Sequence, residues 1–258
     1  MSQLYHRAVG PRRYAHGHGG TAGGTAPARL VISARLPTKW GAFQLLAFER
    51  DIREGSPRTE TAIAMILGDL TQGVPLVRVH SQCFTSEVLG SLRCDCNEQL
   101  EIAMRTIAAE GRGLLVYEHQ EGRGIGLMAK LRAYALQDAG LDTVEANHRL
   151  GFAADCRDFS LPAAILNELG ITRVRLLSNN PRKARALADA GIEVVARIPC
   201  EAAPNAHSVA YLRVKKEKMG HALSLAHPQV VGSRSIPRAG SVHRAGGAKS
   251  AHAKELSK

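Results

Sequence analysis

Three of the five cysteines, Cys83, Cys94 and Cys96, stand within fourteen positions of one another in the stretch RVHSQCFTSEVLGSLRCDCNEQ, and any fold open to this chain has to accommodate them together. Cys156 and Cys200 stand alone far downstream. Thiols grouped in this way, in a chain without a secretory signal core, point to a metal and not to a disulfide. If Cys94-Asp95-Cys96 is extended, residues i and i+2 face one side, so both sulfurs converge and Cys83 joins them across a loop. Three thiolates leave zinc one short of its usual four ligands. An open fourth position marks a catalytic zinc, which acidifies water to a pKa of about 7. A closed structural zinc completed by His80, or three simply buried thiols, remain alternatives at this point.

Composition and charge narrow the class. Aromatics make up 4% of the chain, with Trp40 the single tryptophan, so aliphatic side chains must supply the core. No run of eighteen apolar residues occurs, which predicts a soluble, cytoplasmic protein with no membrane partner. The formal charge of +11 lies mostly at the ends: residues 1–30 contribute +4, residues 221–258 contribute +5, and the body between keeps only +2. The sequence therefore predicts disordered basic extensions over 1–28 and 228–258 around one domain at 29–227, and no specific nucleic-acid partner.

From Leu30 onward, short apolar runs alternate with turns. LVISARL, AFQLLAF, TAIAMIL, PLVRVHS and GLLVYEH read as strands. EQLEIAMRTIAAEG and GLMAKLRAYALQDAG read as helices closed by glycine. DTVEANHRLGFAADCRDF has no single period and reads as a loop with short helical pieces. Helix LPAAILNELG, strand VRLLS, helix NPRKARALADAG and strand IEVVARI follow, a βαβ alternation that implies a parallel piece of sheet. NAHSVAYLRVKKEKMGHAL reads as a last helix.

Two turns between strand and helix have the makings of anion sites. Glu121-Gly122-Arg123-Gly124-Ile125-Gly126 offers backbone amides, a guanidinium fork for phosphate and a carboxylate for paired N–H groups, although its spacing is not the dinucleotide fingerprint. Ser178 and Lys183 flank Asn179-Asn180-Pro181-Arg182, where an ordinary proline-initiated helix is the alternative. In the unpatterned loop, Asp155 reads as a general base and Arg157 as a phosphate ligand, against a plain surface ion pair.

Taken in order, RVHSQC, SLRCDC, EGRGIGL, RAYALQD, DTVEANHRLGFAAD and NNPRK closely resemble GTP cyclohydrolase II, the enzyme that opens guanine at the start of riboflavin synthesis. The resemblance runs from about Leu30 to Gly220 and matches the monofunctional form. It implies an α/β fold, a mixed sheet flanked by helices, and a homodimer. It implies conversion of GTP to formate, pyrophosphate and a diaminopyrimidinone carrying ribosylamine phosphate, with zinc on Cys83, Cys94 and Cys96 and magnesium on the triphosphate. By the same resemblance Arg78, Val79, His80, Ser81, Gln82, Gln99, Glu121, Gly122, Arg123, Thr143, Ser178 and Lys183 contact GTP. Asp155 matches the proton acceptor, Arg157 the residue assigned as nucleophile on the α-phosphate, and Tyr134 a helper in the later hydrolytic step. An arginine of pKa above about 12 is a poor nucleophile, so stabilising charge on that phosphate is the better physical role for Arg157.

This chain departs from the family pattern at three places. Gln82 replaces a usual Glu, Cys156 a usual acid, and Ser178 a threonine. Gln82 loses a charge beside the first cysteine, which bears on how the metal is tuned. Cys156 is expected to be packed inertly. A paralogue that stops at a formylated or GMP-level product, and a zinc-stabilised RNA-binding module, are the competing readings.

Overall fold

The computed structural model describes residues 27–52 and 59–224, so the expected terminal extensions lie outside the described residues, apart from residues 27 and 28 at the inner edge of the first. Ala28 is one of these. It is 3% exposed and packs into the core.

Seven strands form one mixed sheet: β1 (Arg29–Thr38), β2 (Gly41–Asp51), β3 (Thr59–Leu67), β4 (Leu76–Ser81), β5 (Gly113–Glu118), β6 (Arg173–Leu177) and β7 (Glu193–Ile198), in spatial order 1-2-3-5-4-6-7. β1, β2, β3 and β5 pair antiparallel, whereas β5, β4, β6 and β7 run parallel. All seven lie where the apolar runs predict them. The helices are α1 (Phe84–Glu87), α2 (Cys96–Glu110), α3 (Leu127–Asp138), α4 (Thr143–Arg149), α5 (Ser160–Glu168), α6 (Pro181–Asp189) and α7 (Val209–Met219).

Strand periodicity sorts the core into two layers. On β5, Leu114 and Val116 face α5 and α6 with Ile165, Leu166 and Leu187, while Leu115 faces α2 with Ala103, Met104 and Ile107. Both faces being covered explains why GLLV reads as a continuous apolar run and not an alternation. Truncating a wholly buried residue such as Ile107 to alanine costs about 2–5 kcal/mol.

Local chemistry sets the ends of the helices near the site. Asp142 caps α4 by accepting from the Val144 and Glu145 amides at 2.7 and 3.0 Å, and the Glu145 carboxylate returns to the Asp142 amide, a complete capping box. Asn180 caps α6, with Pro181 at its first position. The last helix is shorter than its apolar pattern suggests: residues 205–208 form a turn held by the Asn205 side chain, and α7 starts only at Val209.

Candidate active site

β4 is where the sheet changes direction of winding. The chain leaves β4, crosses through α2 to β5 on one side, then returns to β6 on the other. In parallel sheets such a switch point opens a crevice beyond the strand carboxyl ends. Here those ends deliver Ser81 at the close of β4 and Gln82 and Cys83 beyond it, Glu121 to Arg123 after β5, and Ser178 to Lys183 after β6. The motifs singled out in the sequence thus meet along one edge.

The three thiols do converge, but by a different route from the extended one. Cys94 sits in a bend, Asp95 has φ −101° and ψ 17°, and Cys96 is the first residue of α2. Cys83 is the residue before α1. The three Sγ atoms lie within 4.8 Å of one another, with Cys83 and Cys94 3.6 Å apart. Two sulfurs bound to one tetrahedral zinc stand about 3.8 Å apart, so the donor set fits that ion in softness and in spacing. Hydrogen bonds from Cys94 and Cys96 hold the Cys83 thiol far below its ordinary pKa against the cost of burial, and the Lys130 ammonium, 3.0 Å from its sulfur, adds to this. His80 is no fourth ligand. Its Nε2 meets the Glu87 carboxylate at 2.9 Å and its Nδ1 meets Arg78 at 3.3 Å, and Arg78 can only donate, which makes His80 a neutral Nε2–H tautomer committed on both sides. The closed site with His80 is therefore ruled out.

A cleft of about 670 Å³ opens over the thiols. Tyr134, Thr143, Gln82, Gly122 and Arg123 line it. The Tyr134 hydroxyl pairs with Thr85 at 3.1 Å. Glu121 is buried, its oxygens accepting from the Phe84 amide at 2.6 Å, the Gly122 amide at 2.8 Å and Lys130 at 2.7 Å. Arg123 holds a left-handed backbone, φ 62°, a conformation costly for a side-chain-bearing residue. The fold imposes it through the next residue: a Cβ on Gly124 would lie 2.8 Å from the Cys156 carbonyl, while the Cys156 amide donates to the Arg123 carbonyl at 3.0 Å. The glycine turn and the Asp155 loop are thereby clamped together.

Beside this cleft, and sharing Ser81, Cys96, Arg123, Arg157 and Tyr211 with it, lies a second cavity of about 520 Å³. Its cations are Arg78, Arg123, Arg157, Lys183 and Lys215, and no Asp or Glu among the described residues lines it. Gln99, His80 and Ser178 complete much of the wall. Arg78 donates to Gln99 at 2.8 Å and to the Leu177 carbonyl at 3.1 Å. Burial, then the charges of Arg78 and Arg157, push the Lys183 ammonium well below its usual pKa. Val79 lines neither cavity; its side chain is buried and its carbonyl accepts from Lys183 at 2.8 Å.

Asp155 also lines neither cavity, because its carboxylate is spent on Arg157. Two parallel bonds of 2.8 Å join them, and Arg182 adds a third contact at 3.1 Å. Burial would raise the Asp155 pKa, but these arginines overrule it and hold it at about 2. The surface ion pair considered from sequence is in fact a largely enclosed one, its side chains 13% and 6% exposed.

The three departures fall differently. The Gln82 amide oxygen faces His119 Nδ1 at 3.3 Å. Ser178 keeps the hydroxyl role, accepting from the Asn180 amide at 3.1 Å. Cys156 is exposed, so inert packing does not describe it, and it stays apart from the other thiols. Sequence reasoning passed over Lys130, although it lies four residues before Tyr134 on one helix face and so had to share its surroundings. It also passed over Glu118, a buried carboxylate 2.6 Å from the Ser81 hydroxyl, for which strand position alone gave no signal.

Three thiols that could hold a metal, opening onto a cation-lined cavity at the carboxyl edge of a parallel half-sheet, have the chemistry of the class of metal-dependent enzymes that act on phosphorylated substrates. Comparison with known proteins then names the family. The GTP cyclohydrolase II profile matches residues 28–199. GTP cyclohydrolase-2 of Shigella boydii is 52% identical over 197 residues, 76% of this chain and 98% of that one, and GTP cyclohydrolase-2 of Escherichia coli matches to the same extent. Among solved structures, the two-domain 3,4-dihydroxy-2-butanone 4-phosphate synthase RibBX of A. baumannii aligns at 22% identity and a TM-score of 0.39, over 68% of this chain and 40% of its own. The chain belongs to the GTP cyclohydrolase II family. No helix among the described residues is long and apolar enough to cross a membrane.

Proposed function

We propose that this protein is a GTP cyclohydrolase II, opening the guanine imidazole ring of GTP and releasing formate and pyrophosphate at the start of riboflavin biosynthesis. One observation supports this above the others. Beside the thiol group, three buried N–H donors, Arg78 Nε, Arg123 Nη2 and Asn180 Nδ2, lack a protein partner and belong to residues of one cation-rich cavity without a carboxylate. Unpaired buried donors and mutually repelling cations are stabilised by an anion with several acceptor oxygens, and a triphosphate is such an anion.

Zinc held by Cys83, Cys94 and Cys96 would supply a Lewis acid that makes water a nucleophile at neutral pH. The chain's own residues do the rest. Arg78, Arg123, Ser178 and Lys183 receive phosphate oxygens, and Glu121, Gly122 and Thr143 border the base near the thiols. Arg157 reaches both cavities. Burial opposes its charge, but Asp155 holds its pKa above the ordinary value, so it stays protonated and stabilises charge on the α-phosphate instead of attacking it. Asp155 fixes the guanidinium plane and is a positioning residue in this reading. Magnesium arrives on the triphosphate, since the cation-rich cavity offers it no carboxylate. A cytoplasmic homodimer completes the proposal; exposed Val88, Leu89 and Leu92 offer apolar surface for a second copy.

A product balance tests the reaction. Zinc-loaded protein with GTP and magnesium should give formate and pyrimidinone in equal amounts, with at least matching pyrophosphate. Pyrophosphate without formate would replace this reading with one in which only the phosphate chemistry survives.

A further inference from the structure

The family profile ends at residue 199, yet the cavities are finished by a helix that begins ten residues later. α7 is tied down at its C-terminal end. Lys218 bonds the capping Asp142 of α4 and lies 3.7 Å from Glu145, and beyond the helix the Ala222 amide donates to the Asn179 carbonyl at 3.1 Å. Nearer the start of the helix than these ties, Tyr211 and Lys215, one turn apart, face inward. Lys215, 8% exposed, places its ammonium 2.6 Å from Asp95 Oδ1, and Asp95 is the residue between two of the three thiols. The other oxygen of Asp95 accepts from Gln99 at 2.6 Å, and Gln99 in turn accepts from Arg78. The Tyr211 ring is flanked by the Arg123 guanidinium at 5.1 Å and the Lys215 ammonium at 4.8 Å, and it borders both cavities. His221, just past the helix, lines the cation-rich cavity with a buried Nδ1 that has no protein partner.

We propose that α7 is part of the catalytic site: Lys215 is a positioning residue that holds the Cys94-Asp95-Cys96 turn through Asp95, and Tyr211 is a binding wall shared by the thiol cleft and the phosphate cavity. The physical need is plain. Asp95 puts a carboxylate, 3% exposed, among thiolates, and a buried anion in such company keeps its place only against a cation. Lys215 is the cation that bonds it. Through one peptide on each side, the position of Asp95 sets the positions of Cys94 and Cys96. Tyr211, held by cation–π contacts to Arg123 and Lys215, lends an aromatic wall where the two cavities join, beside the space suited to the sugar and base of a nucleotide. The Tyr211 half rests on the reading of GTP as substrate, and the Lys215 half does not.

The test uses the full chain loaded with cobalt(II) in place of zinc. Lys215→Met should shift the cobalt–thiolate charge-transfer band and weaken metal retention against a chelator by about tenfold, as loss of a ligand's supporting partner does. Lys215→Arg should recover most of both. If Lys215→Met does not fold, Lys215→Gln, which keeps a donor but drops the charge, is read in the same way. A wild-type band and retention in the uncharged variant overturn the positioning role. Tyr211→Leu should raise KM for GTP about tenfold with kcat and the cobalt band little changed, and Tyr211→Phe should recover most of the loss. An unchanged KM removes Tyr211 from the site. Absence of GTP turnover in the wild type would sink the proposed function while leaving the cobalt result for Lys215 to stand or fall by itself.

Discussion

Asp155→Asn separates an orienting carboxylate from a proton acceptor. Asp155 titrates at about 2, against 3.8 for an ordinary aspartate, although burial pulls the other way, because the Arg157 fork and Arg182 favour its charged form. A depressed folded pKa contributes stability that is present above about 3.8 and lost as the pH falls through about 2, so at pH 7 it is there in full. The shift corresponds to about 2 kcal/mol. Asparagine keeps one oxygen for the Arg157 fork but loses the charge and the second parallel bond. With a urea slope of about 2 kcal/mol/M, the unfolding midpoint at pH 7 should fall by about 1 M. The freed guanidinium moves off its line, and kcat should fall about a hundredfold. A group ionised at about 2 cannot shape the profile between pH 5 and 8, so the acid limb of kcat should keep its position. The decisive contrary result is an acid limb that vanishes in Asp155→Asn while the urea midpoint stays put. Asp155 would then titrate as a base, and the orienting role would be wrong.

Three other perturbations follow from the geometry. Burial first, then the charges of Arg78 and Lys183, lower His80 to about 4 despite Glu87, so this neutral imidazole contributes stability that is present above about 6.5 and lost as the pH falls through about 4. Urea midpoints should record a loss of about 2 kcal/mol by pH 5 that His80→Gln flattens, and parallel curves would refute it. Arg123→Gly removes a left-handed strain of about 1 kcal/mol together with a phosphate donor, so the melting temperature should hold or rise while KM for GTP climbs at least tenfold; a fall in both would show that Arg123 is structural. Cys94→Ser should abolish bound zinc, read by metal analysis, and with it formate release; full turnover without metal would end the role of the thiols.

Much of this protein is local and was therefore legible. Apolar runs of strand length, glycines past helix ends and the Pro181 start of α6 are decided by neighbours in sequence, and they placed all seven strands. The cysteine spacing announced a group of thiols that could hold a metal, and the ordered motifs announced a family. The route by which the thiols meet was not legible, because Cys94-Asp95-Cys96 reads equally well as a strand or as a helix entrance until α2 packs on Leu115. Nor could spacing show that Asp155 spends its charge on Arg157 and Arg182, since a carboxylate's partner is fixed by which loops the Gly124 contact clamps together. Lys215 lies 120 residues from Asp95 along the chain. Sequence alone determined which groups the protein possesses and which short elements carry them. Only the tertiary structure decided which charges face one another, because ion pairing and burial depend on through-space distance, and closing the sheet around β4 is what makes distant residues neighbours.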